Sequence, residues 1–380
     1  MSASKKIVIV QDYLRNGGTE RQSVFLARAF AGAGHEVALL TFRPGGALMP
    51  GATGAGAFRC VALQPFDTGL DFFAPRLCAV IRRLAPDVVL CMGRMANCKA
   101  GRLARAFPGV AVISTMRTGK ELPRAYARSL RETRCAVANS HEAARVLREQ
   151  YGVPAEKIAV IRNALAVDVV DVSRAGSPCH ECHESAGAAP APRLLCVAMF
   201  RPEKNHRELL EIFSRLRARS GSGSWTTDHG LELHLVGDGP ELAPCRALAG
   251  KLGIAGRVYF HGCVADPAPF YRQGGIAVLA SRRESLPNFL VEAHAHGIPS
   301  VAYGVGGVAE CGGVAIAPGD QAGFLAALER AVTDGSWRAA ESARVAAYAR
   351  EHFSPGAQVH CYLELLKKIT SGRLETENRF

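Results

Sequence analysis

Short apolar runs alternate with amphipathic stretches along almost the whole chain. KKIVIV (5–10) is a continuous run rich in β-branched residues, as a strand buried on both faces of a parallel sheet requires. A polar, glycine-bearing turn comes next, QDYLRNGGTE, then ERQSVFLARAFAGAG, apolar at helical spacing and ending on glycine, then HEVALLTF. Strand, glycine-rich turn, helix and strand make one βαβ unit. The alternation continues through RLCAVIRRLA and DVVLCM (87–92), NCKAGRLARAF and VAVIST (110–115), CAVANS (135–140) and HEAARVLREQYG, and KIAVIRNAL (157–165).

Residues 173–192, SRAGSPCHECHESAGAAPAP, have no apolar period and read as a connection or surface excursion. A second alternating series starts at RLLCVAMF (193–200). It runs through RELLEIFSRLRAR, LELHLVGDG, ELAPCRALAGKLG, VYFHG (258–262), AVLAS (277–281), LPNFLVEAHAHG and PSVAYGVGG. SGSGSWTTDHG (220–230) reads as a surface loop. Two helical stretches close the chain, QAGFLAALERAVTDG and a long one over 336–369 broken near Ser354-Pro355. Two βα series of similar length predict an α/β protein of two doubly wound, Rossmann-like halves facing one another across a cleft.

The length of 380 residues agrees with two domains, and 48% hydrophobic with 21% charged residues excludes wholesale disorder. The net charge of +12 is lopsided: residues 1–172 hold 24 basic and 13 acidic side chains, against 22 and 21 in the rest. A basic half beside a neutral half calls for an anionic partner: membrane surface, nucleic acid or phosphorylated substrate. No run approaches the ~18–20 apolar residues of a membrane span. The opening MSASKKIVIV has too short an apolar run for a signal peptide, so a cytoplasmic protein is expected. The twelve cysteines are scattered, many inside strand-like runs, and read as small, reduced, buried side chains.

Gly17 and Gly18 lie in the first βα turn, where glycine lets backbone approach a phosphate at a helix N-terminus; a plain tight turn is the alternative. Their spacing is not G-x-G-x-x-G, so a nicotinamide dinucleotide site is poorly supported. SRRESLPNFLVE (281–292) falls at the carboxyl end of a predicted strand, where doubly wound folds bind ligands. Glu284 is in the loop, Pro287 is placed at the first helical position, and Glu292 lies about one and a half turns in. Two carboxylates flanking a helix start suit a diphosphate carrying hydroxylated groups on either side; two solvated glutamates are the plainer reading. In FRPEKNH (200–206), Arg201 and Lys204 are set to clamp an anion, or form an ordinary basic loop.

G-G-T-E-R, R-P-E-K-N-H, L-V-G-D-G-P-E, F-H-G, E-S-L-P-N-x-L-V-E-A-x-A-x-G-x-P, V-G-G-V-A-E and P-G-D occur in that order. This closely resembles the family 4 glycosyltransferases, retaining enzymes of GT-B fold that build bacterial surface polysaccharides, over nearly the whole chain. The resemblance implies that Glu284 contacts the donor sugar, Glu292 the ribose, and Lys204 the donor phosphate. Gly17 and Gly18 would lie near that phosphate, backbone after Gly262 would hold the base, and Leu286, Pro287 and Asn288 would face the diphosphate or sugar. It implies residues 1–172 as acceptor-binding domain, 193–352 as donor domain, and 353–380 as a helix packing back on the first. The sequence departs from the family where Met199 replaces an arginine, leaving Arg201 as substitute. It departs again where VISTMRTGKE offers Arg117 instead of a histidine facing the transferred sugar.

Cys179, His180, Cys182 and His183 have zinc-binding side chains, but adjacent residues rarely converge on one ion and no second pair occurs at finger spacing. No metal or other cofactor is expected. RLCAVIRRLA (76–85), KAGRLARAF (99–107) and PRAYARSLRETR (123–134) are basic and amphipathic, suited either to anionic lipid or to packing on the sheet with a solvated cationic face. Nucleic acid is the weaker partner, since no recognised binding signature is present. The expectation is a cytoplasmic enzyme, peripheral at the inner membrane face, moving sugar from a nucleotide-sugar, by preference a UDP-sugar, to a lipid-linked, lipopolysaccharide or capsular acceptor. A sugar-nucleotide epimerase of the same fold and a non-catalytic polyanion binder are the rivals.

Overall fold

A computed structural model describes residues 4–15, 17–49, 58–165, 193–220, 230–264 and 266–371. The stretch 173–192, with Cys179, His180, Cys182 and His183, and nearly all of the loop 220–230 lie outside the described residues. The chain divides into two compact units, Met1–Ala166 with Pro355–Phe380, and Val167–Ser354.

The N-terminal unit contains strands β1 (Lys6–Gln11), β2 (Glu36–Thr41), β3 (Arg59–Ala62), β4 (Val88–Cys91), β5 (Ala111–Met116), β6 (Cys135–Ala138) and β7 (Ile158–Val160). They form one sheet in the order β3-β2-β1-β4-β5-β6-β7, and every pairing is parallel. Alternate residues of β1 feed two cores, as a sheet covered on both faces demands. Ile7 and Ile9 join Leu26 and Phe30 of the helix Gly18–Gly32 and Tyr362, Leu365 and Ile369 of the helix Pro355–Thr370. Val8 and Val10 join Leu77 and Ile81 of the helix Leu77–Leu84 and Ala100 and Leu103 of the helix Arg94–Ala106. The last helix thus completes the first unit's core, with the Tyr362 and Phe30 rings edge to face at 6.0 Å.

The second unit contains β8 (Leu194–Val197), β9 (Leu233–Val236), β10 (Val258–Gly262), β11 (Ile276–Leu279), β12 (Ser300–Tyr303) and β13 (Val314–Ile316). Its sheet order is β10-β9-β8-β11-β12-β13, again wholly parallel. Each unit is therefore a doubly wound Rossmann-like half, and together they have the GT-B architecture. β3 and β13 were not expected from the sequence: both are short, half-exposed edge strands, without the continuous apolar run that marks buried ones. The ten described cysteines are all free, five of them buried. Among the described residues no helix is long and apolar enough to cross a membrane.

Candidate active site

The second sheet reverses direction beside its first strand. From β8 the chain adds β9 and β10 on one side, then returns to lay β11 against the other side of β8. Loops leaving β8 and β11 therefore part in opposite directions at their carboxyl ends and leave a crevice between them. The first loop carries Arg201 and Lys204, and the second carries Glu284.

Lys204 Nζ lies 2.6 Å from Glu284 Oε1, with the Glu284 side chain 8% exposed and the Lys204 side chain 24% exposed. The backbone also ties the two loops together, Arg282 N donating to the Glu203 carbonyl at 2.8 Å. A third loop, after β12, backs the glutamate. Gly306 has φ +56°, and a Cβ there would sit 2.0 Å from the Glu284 carbonyl oxygen, so only glycine fits. Gly307 N then donates to the Ser285 carbonyl at 2.8 Å. Beneath Lys204, the buried His206 ring stacks on Phe200 at 4.1 Å. Burial and the neighbouring ammonium push its pKa down to about 4, so it stays neutral and adds no competing charge.

Beyond Glu284, Leu286 and Pro287 are buried and Asn288 is partly exposed. The helix spans Asn288–Ala295 with Pro287 as its extended N-cap, one position earlier than the first-turn placement expected from the sequence. Its opening N–H groups have no intrahelical acceptor and give that end a positive potential. Glu292, the fifth residue of the helix, accepts a 2.7 Å hydrogen bond from the hydroxyl of Tyr271, itself fully buried in the short helix Ala268–Arg272. Gly262 closes β10 with φ +69°, its carbonyl accepting from Gly237 N at 2.8 Å.

Arg201 borders a pocket of about 420 Å³ with His206, Arg282, Glu208 and Gln321, and neither Lys204, Glu284 nor Glu292 lines that pocket. Met199, where the family resemblance places an arginine, is 49% exposed.

The N-terminal sheet repeats the reversal between β1 and β4. Gly17 is the N-cap and Gly18 the first residue of the helix Gly18–Gly32, at the carboxyl end of β1. The same turn holds a residue that sequence reading passed over. Asp12 accepts from Met95 N at 2.9 Å and Ala96 N at 2.7 Å, capping the helix Arg94–Ala106. Burial pushes its pKa up to about 6 against those two bonds. Gly93 makes the approach possible, since a Cβ there would lie 2.3 Å from Asp12 Oδ1. Arg117 comes directly after β5, and one of its terminal nitrogens donates to Asn163 Oδ1. Its Nε and Nη1 are buried without a partner among the described residues, and burial lowers its pKa while Tyr362 partly opposes that.

Two sequence profiles match the chain: Glycosyltransferase Family 4 over residues 16–169, and Glycosyl transferases group 1 over residues 191–334. The chain belongs to the family 4 glycosyltransferases. The lipopolysaccharide core biosynthesis glycosyltransferase LpsE of Rhizobium meliloti is 29% identical to this glycosyltransferase over 361 residues, covering 93% of this chain and 96% of that one. A lipopolysaccharide 1,6-galactosyltransferase of Salmonella typhimurium is 28% identical over 154 residues, 40% of this chain and 37% of its own. Among solved structures, Anabaena Alr3699/HepE in complex with UDP and glucose superposes with a TM-score of 0.78 at 18% identity, over 96% of this chain and all of the other. Sucrose-phosphate synthase of Thermosynechococcus elongatus gives 0.75 at 17% identity, over 97% and 100%. In this glycosyltransferase, sequence reading missed Tyr271 and Gly306, which hold Glu292 and back Glu284 in the second unit, and Asp12 in the first unit's turn. Asp12 carried a signal, a carboxylate directly after a buried strand, and Gly306 lies in the quoted V-G-G-V-A-E run without its partner being legible; Tyr271 matters only through a distant partner.

Proposed function

We infer that this glycosyltransferase moves a sugar from a UDP-sugar to a saccharide acceptor of the lipopolysaccharide or capsular kind, or its lipid-linked precursor. The reaction takes place at the inner membrane face, with retention of anomeric configuration and without a metal ion. One observation carries the reading: the Lys204–Glu284 pair at the switch point, joined through Leu286 and Pro287 to a helix start. The name of the Rhizobium meliloti relative and the UDP and glucose held by the Anabaena protein support it.

The bond between the anomeric carbon and the β-phosphate oxygen breaks, and the acceptor hydroxyl oxygen bonds to the carbon on the face the phosphate leaves. The hydroxyl proton passes to the departing diphosphate. Charge grows on the phosphate oxygens, where the Lys204 ammonium and the N–H groups opening the helix Asn288–Ala295 meet it. Glu284 takes hydroxyls of the sugar, and Glu292, oriented by Tyr271, takes those of the ribose.

The test is UDP release from UDP-glucose, UDP-galactose, UDP-N-acetylglucosamine and UDP-glucuronic acid, with and without core oligosaccharide acceptors. Acceptor-dependent release, insensitive to EDTA, and a product anomer matching the donor are expected. Donor turnover without acceptor would point to an epimerase, and an inverted product would overturn retention. UDP at 100 times its dissociation constant should add about 2.7 kcal/mol of stability. Protection by another nucleoside diphosphate in its place overturns the choice of base.

A further inference from the structure

Among the described residues six large apolar side chains stand well exposed, and four of them, Phe66, Leu70, Phe72 and Phe73, fall in one stretch between β3 and the helix Leu77–Leu84. Phe66 is 69% and Phe72 59% exposed. Single exposed apolar residues are ordinary; four together are not.

The exposure does not come from a loose loop. Gln64, buried two residues beyond β3, donates from its amide to the carbonyls of Leu70 (3.0 Å) and Phe73 (2.6 Å) and accepts from Thr68 Oγ1 at 2.8 Å. Arg43 holds Asp67 through two bonds of 2.7 and 2.8 Å and reaches Asp71 at 2.7 Å. Arg15 takes Asp71 as well, at 2.7 Å, and both guanidinium groups sit over the Tyr13 ring. The pins therefore hold the backbone, leave the aromatic rings outside, and neutralise the loop's only two carboxylates.

The stretch running on from these rings is purely cationic. Residues 72–86 contain Arg76, Arg82 and Arg83 and no acid. The helix Leu77–Leu84 turns Leu77 and Ile81 into the core, and all three arginines are exposed. The other two basic helices also spend their apolar faces inward: Ala100 and Leu103 of Arg94–Ala106 and Tyr126 and Leu130 of Arg124–Glu132 are buried. Apolar surface for an outside partner thus comes from the loop and not from the helices.

We propose that the loop 66–73 is a membrane-docking element, its phenylalanines entering the headgroup–acyl boundary of an anionic bilayer while Arg76, Arg82 and Arg83 meet lipid phosphates. An anionic surface suits this patch because its only acids are already paired, leaving nothing to repel the headgroups. The inference rests on the reading that the acceptor is membrane-borne.

Co-sedimentation of the full chain with vesicles of phosphatidylethanolamine and phosphatidylglycerol, and of phosphatidylcholine alone, tests it. The wild type should pellet with the first and weakly with the second. Phe66→Ser/Phe72→Ser/Phe73→Ser should lower binding to both about a hundredfold or more. Arg82→Glu/Arg83→Glu should lower only the anionic preference, by about thirtyfold or more. Both variants should keep the wild-type Tm and the rate on a soluble, delipidated acceptor. Wild-type protein that stays in solution, or a triple variant that pellets like wild type, overturns the proposal. So does a solution dimer dissolved by the triple substitution, which assigns the patch to a second copy. If transfer is absent while vesicle binding still depends on the loop, the proposed acceptor falls and the docking element stands.

Discussion

In the proposed reaction Glu284 and the donor diphosphate compete for the same Lys204 ammonium. At 2.6 Å the attraction is about 2 kcal/mol in bulk water and about 6 kcal/mol at an effective dielectric constant of ~20. Desolvation of a side chain 8% exposed, and screening of a lysine 24% exposed, return most of this, leaving about 1–2 kcal/mol for folding. Glu284→Gln keeps the shape and removes the charge, so Tm should fall by only about 2–6 °C. Transfer should fall about a hundredfold or more, as when a group that positions the reacting sugar through its hydroxyls is lost. UDP, however, should bind as tightly as before or tighter, because Lys204 is released from its partner. Lys204→Ala behaves differently: both UDP affinity and rate drop. The double variant should cost about as much in rate as the worse single one, since the two act as a unit. Calorimetry with UDP and steady-state transfer on the four proteins would decide it. A Glu284→Gln protein that loses UDP affinity in step with its rate, or keeps the wild-type rate, refutes the reasoning.

Other parts of the structure bear on the same question. Tyr271→Phe deletes the 2.7 Å bond to Glu292 and should weaken UDP binding about fivefold to tenfold while hardly changing Tm, read by calorimetry. Gly306→Ala forces a side chain onto a backbone at φ +56° and against the Glu284 carbonyl. It should cost about 1–3 kcal/mol in stability and at least tenfold in transfer, and unchanged melting and kinetics would contradict the close approach. Asp12 keeps its proton up to about pH 6 in the folded protein against 3.8 when unfolded. The folded state therefore binds the extra proton between those values. The stabilisation is complete below pH 3.8, declines as pH rises, and is gone above about 6, a change of about 3 kcal/mol. Asp12→Asn should flatten the melting profile across that window, and parallel wild-type and variant profiles would count against a raised pKa.

Much was legible in the sequence because the information is local. Buried parallel strands need uninterrupted apolar runs, so β1 and β4 to β6 stood out, whereas β3 and β13, at sheet edges, lack such runs and were passed over. The E-x7-E spacing and the RPEKNH segment announced their residue types for the same reason: each motif sits on one loop or one helix turn. Partners were not legible. Nothing in the order of residues says that Lys204 and Glu284, 80 positions apart, meet at 2.6 Å, that Tyr271 holds Glu292, or that Gly306 closes on the Glu284 carbonyl. The exposure of the phenylalanines in loop 66–73 likewise has no mark in the sequence, because it follows from the bonds Gln64 makes to the loop carbonyls. Sequence alone determined which segments bury themselves and which chemistries the chain carries, because hydrophobic period and side-chain type act within a few residues. Only the tertiary structure decided which of those chemistries touch, because that depends on the sheet order and its reversal beside β8.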